Sequence, residues 1–335
     1  MRFRGVGVAL AAIALGIAVL AIGLQLAGFD ALAALGALWN GAFGSWYALT
    51  SATLVRAVPL IIIGLGIALA FRGGVFNIGA EGQFYAGAIA ATWIGLHAGS
   101  LPSVIAVPAV LLGGAVAGML WVALPVWLQV RFGVIEVIST LVLNFVAESL
   151  VSLMVQGPLQ ERQGIYPQSD MIPAAARLPL LTGRLHAGIL LALLGAVALE
   201  YVFRRTIWGF RLRAVGAGPR AAEISGRIDA RRVAAVALLA SGAIAGVAGA
   251  VEVAGVSYAL FQNLSPGYGF TAIAVALLAR LDPLGVIATG LLFGALEAGA
   301  AAMQRDAGVP AVAVYVVEAI VILVVVLADA AKRRA

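Results

Sequence analysis

The sequence contains no cysteine and few charged residues, and both shortages narrow the class of protein. Without cysteine, the chain has no disulfide, no thiolate nucleophile and no cysteine ligand for a metal. Charged residues make up 11% of the chain, whereas 63% of its residues are hydrophobic and the mean hydropathy is +1.08. Soluble domains carry about 25% charged residues. The composition therefore predicts a membrane protein that crosses the bilayer several times.

The apolar runs are continuous rather than alternating, which favours membrane-spanning helices over a β-barrel. A bilayer core requires about 20 helical residues, so the runs predict an all-α polytopic membrane protein with about ten (roughly 8–10) transmembrane helices in a single transmembrane domain over 1–335. The run over 270–281 is too short to cross alone and suggests a broken or re-entrant helix. The first run is too long for a signal peptide, and we expect an uncleaved anchor. The predicted spans are 5–26, 52–71, 75–96, 104–128, 137–156, 187–203, 233–256, 270–281, 284–303 and 309–327.

Arginine placement predicts the orientation of the chain. With the N-terminus inside, most basic residues fall in cytoplasmic segments, as the positive-inside rule requires. The basic residues predicted on the outer side of the membrane are Arg162, Arg177, Arg184 and Arg305, and Arg56 lies near one helix end. Both termini are therefore expected in the cytoplasm. The net charge of +6 follows from this topology and does not indicate nucleic-acid binding.

Two segments between the spans are long enough to have their own role. The predicted outer loop, 157–186, is rich in proline, and loops of this length are usually binding surfaces or lids. The predicted inner loop, 204–232, contains a short helix that begins at Pro219 and ends at Gly226. Such a helix could be bound by a partner protein. The alternative is a solvated basic loop that only anchors the topology.

Polar side chains within the apolar runs are the candidates for a solute pathway. A polar group in hydrocarbon costs several kcal/mol unless it is paired or hydrated. Four-residue spacing places Asn77 and Glu81 on one helix face if the run is helical, and Asn144 and Glu148 repeat this spacing. These groups could hydrogen-bond a polar solute, with an aromatic ring stacking on it, or they could satisfy one another between helices. The candidates are Asn77, Glu81, Gln83, Phe84, Asn144 and Glu148.

Buried acids leave one different mechanism open. Glu297 and Glu318 lie deep in their predicted spans, and several buried carboxyls can form a proton relay in an ion-coupled secondary transporter. The two histidines, His97 and His186, fall at outer span boundaries without a nearby acidic pair. We therefore expect no metal site. The residues also provide no catalytic triad or metalloprotease motif, so we expect no enzyme.

One glycine-rich phrase resembles a known signature. Residues 75–83 read Val-Phe-Asn-Ile-Gly-Ala-Glu-Gly-Gln, which is similar to the signature of permease subunits of bacterial ABC importers. These belong to the superfamily of ribose and branched-chain amino acid permeases, and the phrase is most similar to the branch for purine-nucleoside uptake. Supporting phrases extend the resemblance from residue 54 to 299, at 54–60, 136–144, 213–216, 221–222 and 269–278.

The resemblance implies a translocation pathway in the bacterial cytoplasmic (inner) membrane and a set of partners. Such permeases pair with a second permease, a paralogue in the nucleoside branch, and receive solute from an extracytoplasmic solute-binding protein. A separate ATP-binding subunit drives transport. This chain has no Gly-x-x-x-x-Gly-Lys-Ser/Thr motif, so ATP and Mg are expected on that partner and no cofactor on this chain. Nucleosides are the expected solute, and ribose-type sugars or branched-chain amino acids are the alternatives.

The same resemblance makes the inner loop over 204–232 a coupling loop that docks on the ATP-binding subunit. Its short helix would transmit movements of that subunit as a rigid body. The residues expected to carry this contact are Arg211, Arg213, Gly216, Arg220, Ala221, Ala222, Glu223 and Gly226.

Overall fold

The computed structural model describes the backbone of residues 2–226, 228–310, 312, 315 and 316, and it is mostly helical. Two π-helical turns, Leu49–Thr53 and Val253–Ser257, extend neighbouring helices, and a two-stranded antiparallel sheet joins β1 (Leu180–Thr182) to β2 (Leu185–His186). The helices are α1 Arg2–Leu26, α2 Ala31–Phe43, α3 Trp46–Ala48, α4 Leu54–Arg72, α5 Ala80–His97, α6 Ser103–Phe132, α7 Glu136–Val155, α8 Gly188–Arg205, α9 Ile207–Ala217, α10 Pro219–Gly226, α11 Ala230–Glu252, α12 Tyr268–Leu278 and α13 Pro283–Ala307.

Several helices have the length and apolarity of membrane spans. Within the described ranges there are five: Trp46–Arg72, Ser103–Phe132, Glu136–Val155, Ala230–Ser257 and Pro283–Ala307. A mostly helical fold with several apolar helices agrees with the predicted multi-pass membrane class, apart from the two-stranded sheet, whereas the total near ten and the side of each terminus stay predictions. The last predicted span, 309–327, lies almost entirely outside the described residues, as do Arg227 and Glu318.

The structure differs from the predicted spans at two places. Helix α2 was not predicted as a separate element, because its apolar stretch of 13 residues is shorter than a span. Asp30 caps it, with its Oδ1 accepting hydrogen bonds from the backbone N–H groups of Leu32 (2.9 Å) and Ala33 (3.0 Å). The helix predicted from residue 75 begins only at Ala80, because residues 75–79 are irregular after the left-handed Gly74 (φ 79°).

The chain divides into two compact units. The first contains residues Met1–Ala57 and Leu291–Ala335. In it, α2 packs closely on the second half of α13, where a side chain at Gly41 would overlap the Ala302 methyl group. The Thr53 hydroxyl also donates to the Ala42 carbonyl oxygen at 2.8 Å. The second unit, Val58–Gly290, contains α5 to α12 and all six candidates for the solute pathway.

Helices α5, α6 and α11 form the core of the second unit through close backbone contacts. A methyl group added at Gly246 of α11 would overlap the carbonyl oxygen of Gly114 in α6, and one added at Gly87 of α5 would overlap the carbonyl oxygen of Gly246. Small residues allow such approach between membrane helices, where packing rather than the hydrophobic effect drives association. The glycines therefore fix the positions of the helices that carry the polar side chains.

The predicted outer loop, 157–186, is hydrogen-bonded at several points to the segment that follows α11. The backbone N–H groups of Ser169, Ile172 and Leu178 each donate at 2.8 Å to carbonyl oxygens in the segment 254–260 that follows α11. His186 is fully buried at its end, and burial lowers its pKa to about 4. Its ring is therefore neutral at ordinary pH and accepts from the Gly188 N–H at 3.2 Å through Nδ1. The three backbone bonds hold the loop against the segment 254–260, and its predicted role as a binding surface or lid stays a prediction.

We expect Gly246→Ala to destabilise the protein even though alanine favours helix formation by up to about 1 kcal/mol. The added methyl group overlaps backbone atoms that cannot move without separating α6 and α11. The measurement is the midpoint of thermal unfolding in detergent, followed by size-exclusion chromatography. Gly36→Ala is the matched control, because Gly36 is also helical and has no atom within 4 Å of an added methyl group. Equal midpoints for the two variants would contradict the packing argument.

Candidate functional site

Asn77 lies in the irregular segment before α5, is fully buried, and is paired on every side. Its Nδ2 donates to Gln83 Oε1 at 2.7 Å and to Ser241 Oγ at 2.9 Å. Its Oδ1 accepts from Gln83 Nε2 at 2.9 Å and from the Gly79 N–H at 3.0 Å. The predicted helical spacing between Asn77 and Glu81 is therefore wrong, because Asn77 uses its side chain to form a turn that precedes the helix.

Asn144 connects α7 to the start of α5. Its Oδ1 accepts from the Gly82 N–H at 2.8 Å, and its Nδ2 donates to the Ile78 carbonyl oxygen at 2.9 Å. Both partners are backbone groups at the irregular entry to α5, where the regular helical partners are missing. Asn144 therefore completes the hydrogen bonding of a buried chain segment.

Glu81 caps the short helix α12. Its Oε2 accepts from the backbone N–H of Gly269 at 2.6 Å. Ser265 caps the same helix end, since its Oγ accepts from the N–H groups of Gly267 (3.0 Å) and Tyr268 (2.9 Å). The first N–H groups of a helix have no partner within the helix and attract negative charge. A carboxylate from α5 thus holds the start of a helix that is 11 residues long.

The remaining pathway candidates occupy different environments. Phe84 is fully buried, and its ring meets Tyr85 and Tyr268 edge to face with centroids 5.7 and 6.0 Å apart. Glu148, one turn beyond Asn144 on α7, is exposed and lines a cavity that is described below. The structure therefore buries five of the six candidates, bonds Asn77 to Gln83, and leaves Glu148 exposed. Their role in a pathway stays a prediction.

The second unit also contains a cavity, and most of the polar side chains that line it were not predicted from the sequence. We call it the outer polar pocket, about 300 Å³ in volume, between the middle of α7 and the irregular segment before α12. Gln262 closes one side, and its Nε2 donates to Ser152 Oγ at 2.6 Å. The serines of α7 read as ordinary helix residues, and only the fold brings them opposite the segment 258–267. The pocket is lined by Tyr85, Glu148, Ser149, Val151, Ser152, Gln262 and Asn263.

The predicted inner loop contains two helices rather than one. The predicted short helix is confirmed as α10, Pro219–Gly226. Helix α9 was missed, because its arginines and glycines resemble a basic loop. Gly216 of α9 lies against the backbone of Arg72, and Ala222 of α10 is buried, whereas Arg211, Arg213, Arg220, Ala221 and Glu223 are exposed. Ile224, which was not among the predicted contacts, is 86% exposed.

The ends of α4, α8 and α9 form a charged cluster. Arg204 pairs with Glu200 as their four-residue spacing predicts, and its Nη2 lies 3.9 Å from Asp282 Oδ1. Arg72, Arg205 and Arg213 line the same cavity of about 540 Å³. Among the described residues, no group of three or more His, Asp or Glu side chains is arranged to hold a metal.

Comparison with known proteins gives matches along most of the chain. A family model for the permease component of branched-chain amino acid transport systems matches residues 49–326. The glucose ABC transporter permease TsgB13 of Haloferax volcanii is 38% identical over 97% of this chain and 87% of its own length. The guanosine ABC transporter permease NupP of Bacillus subtilis is 39% identical over 95% of this chain and 92% of its own length. The nucleoside ABC transporter permease NupB of Lactococcus lactis is 34% identical, over 81% and 77%. Each of these organisms contributes a second permease at 28–30% identity.

Glu81 provides a test between solute contact and structural pairing. We expect Glu81→Ala to lower stability by about 1–3 kcal/mol, because the Gly269 N–H would lose its buried acceptor. Glu81→Gln should retain most of the stability, since its amide oxygen can still accept. The measurement is the thermal unfolding midpoint of each variant in detergent.

Glu148→Ala is the control, since this glutamate lies in an apolar helix but is exposed. It should unfold at the same temperature as the parent protein. If Glu81→Ala were as stable as the parent but failed to transport, Glu81 would contact the solute and the structural interpretation would be wrong.

Proposed function

Because the chain belongs to the family of permease components of branched-chain amino acid transport systems, we propose that it forms part of the translocation pathway of an ATP-driven importer for nucleosides. Similarity along nearly the whole chain to ABC transporter permeases named for guanosine, nucleosides and glucose is the observation that carries this proposal. The chain is a permease subunit, and ATP hydrolysis belongs to a separate ATPase.

The proposed solute class rests on what the relatives' solutes have in common. Glucose and the nucleosides both contain a ring with neighbouring hydroxyl groups. Branched-chain amino acids have no such ring, although they give the family its name. We therefore rank nucleosides first, sugars second and branched-chain amino acids last. Within the relatives named above, two of three carry a nucleoside name, which supports this order.

The partners follow from the same reasoning. We propose an ATP-binding subunit, an extracytoplasmic solute-binding protein and a second permease that is a paralogue of this chain. Three organisms each contain two related permeases of unequal similarity to it. Two different permeases in one organism are what a paired, non-identical pathway would require.

The proposed topology places both termini in the cytoplasm, at the inner membrane of a bacterium. The charged cluster supports it, since Arg72, Arg204 and Arg213 at three helix ends meet there. Helix α2, at 13 residues, measures only about 20 Å, which is shorter than the roughly 30 Å bilayer core. It is proposed to lie at the outer side without crossing. The segment 157–186 is then outside and 204–232 inside.

Coupling to the ATPase is proposed to use the exposed face of α10. Ala222 is buried, and a side chain at Gly216 would overlap the Arg72 carbonyl oxygen, so a bulky residue at either position would disturb the fold as well as any docking. Arg220, Glu223 and Ile224 are exposed on α10. An exposed isoleucine between charged residues suits a contact with an apolar centre and a polar rim.

We expect Ile224→Asp to abolish ATP-driven uptake while leaving the chain folded, because an uncompensated charge would enter the proposed docking contact. Ile224→Leu, the matched control, should retain uptake since it preserves the apolar side chain. Uptake and ATP hydrolysis are measured in proteoliposomes with the assembled complex. Normal uptake by Ile224→Asp would show that α10 does not dock through this residue.

The proposed function itself is tested by isolating the tagged chain from its native membrane in mild detergent and identifying co-purified proteins by mass spectrometry. An ATP-binding subunit and a second permease should appear. The complex is then reconstituted, and uptake of guanosine, glucose and leucine is measured with and without ATP. ATP-dependent guanosine uptake is expected. Isolation of the chain alone, with uptake driven by a proton gradient, would instead support an ion-coupled secondary transporter.

A further inference from the structure

Glu148 is an exposed acidic residue on a helix whose exposed side chains are otherwise largely apolar. Helix α7 is apolar enough to span a membrane, and its neighbouring side chains Phe145 and Leu153 are both 61% exposed. A carboxylate at this depth is costly in contact with lipid and normally faces water or a polar partner. Ser149 and Ser152, one and four residues further on, place hydroxyl groups beside it. This part of α7 therefore borders a hydrated space.

The opposite wall of this space is irregular backbone. The segment 258–267 connects α11 to α12 and is tied to the outer loop, where Ser169 Oγ accepts from the Leu260 N–H at 2.9 Å. It contains Asn263 in the left-handed region (φ 59°), which asparagine tolerates better than most residues. Irregular backbone at membrane depth occurs where it is buried in protein or lines a water-filled cavity. Here the segment contributes Gln262 and Asn263 to the lining of the outer polar pocket.

The pocket offers the hydrogen-bonding groups that a ring with hydroxyls requires. Each sugar hydroxyl donates one hydrogen bond and accepts others, so it is matched by a carboxylate, amides and hydroxyls together. Glu148 provides a hydrogen-bond acceptor, and the side-chain amides of Gln262 and Asn263 can both donate and accept. The volume of about 300 Å³ lies at the small end of ligand pockets, which suits a single ring.

The larger cavity of the second unit does not offer this chemistry. It measures about 990 Å³, and its walls are mostly apolar side chains of α5, α6 and α7, including Trp93 and Met154. Its charged, amide and imidazole side chains are His97, Gln160 and Asp170, and Trp121 adds one buried N–H donor. The outer polar pocket therefore has the higher density of groups that can replace the hydration of a sugar.

We propose that the outer polar pocket binds the hydroxylated ring of the solute, through Glu148, Ser152, Gln262 and Asn263. This proposal rests on the proposed function and narrows it. The permease recognises the ring that nucleosides and sugars share, and the base of a nucleoside extends beyond the pocket. The chain would then admit ribosides with different bases and exclude analogues that lack the ring hydroxyls.

The absence of native cysteine allows a direct test. Ser152→Cys is introduced into the full complex, and the rate of its reaction with a membrane-impermeant thiol reagent is measured in proteoliposomes. At a solute concentration about ten times the dissociation constant for the pocket, guanosine or ribose should slow the reaction about tenfold, because about one tenth of the sites stay free. The analogue 2′,3′-dideoxyguanosine should leave the rate unchanged.

The controls separate this inference from the proposed function. Ser100→Cys lies in an exposed turn and should react at one rate with or without solute. Ser149→Cys serves as the second reporter if Ser152→Cys does not assemble. In the Ser152→Cys background, Glu148→Gln should weaken the protection by guanosine, since the charged acceptor is lost.

Three outcomes would overturn the inference. Equal protection by 2′,3′-dideoxyguanosine would show that the ring hydroxyls are not recognised. No protection by guanosine, in a complex whose parent form imports it with ATP, would exclude the pocket while leaving the proposed function intact. A parent complex that imports neither guanosine nor a sugar with ATP would refute the proposed function, and the inference with it.

Discussion

The requirement that backbone polar groups inside a membrane find partners within the protein governs the arrangement around α5. The chain is irregular over residues 75–79, and its free backbone groups are bonded by side chains instead of by a helix. Asn77 satisfies the Gly79 N–H, and Asn144 satisfies the Ile78 carbonyl oxygen and the Gly82 N–H. Because Glu81 follows directly and reaches the N-terminus of α12, the same short segment determines where two helices begin.

This constraint separates two kinds of polar residue that look alike in the sequence. Asn77, Gln83 and Asn144 are buried and bonded to one another or to the backbone, so they have little capacity left for a passing solute. Glu148 is exposed, in a helix of the same apolar character. A signature rich in polar residues can therefore define the scaffold, while a polar residue that is open to a solute lies elsewhere, one helical turn beyond Asn144.

The sequence predicted what depends on local patterns and missed what depends on distant partners. Helix α7 was predicted over 137–156 and runs over Glu136–Val155, since the length of an apolar run sets the length of a membrane helix. The start of α5 was missed because Asn77 bonds Ser241, 164 positions away. The pocket wall was missed for the same reason, since Gln262 and Ser152 are 110 positions apart. Neither pairing leaves a periodic signal in one sequence.

Helix α9, which is followed by α10, packs directly on the segment that this constraint shapes. Gly216 of α9 lies against Arg72 and Gly74, and Gly74 precedes Asn77 by three residues. Asn77 in turn bonds Ser241 of α11, and Glu81 holds α12. Coupling between distant sites is carried by contiguous packed and hydrogen-bonded elements. A displacement of α9 and α10 by an ATPase would therefore reach α11 and α12 through the buried network, and the segment 258–267 that joins these two helices forms one wall of the outer polar pocket. On this argument the buried polar residues would transmit movement to the pocket wall, a role that does not depend on their contacting the solute.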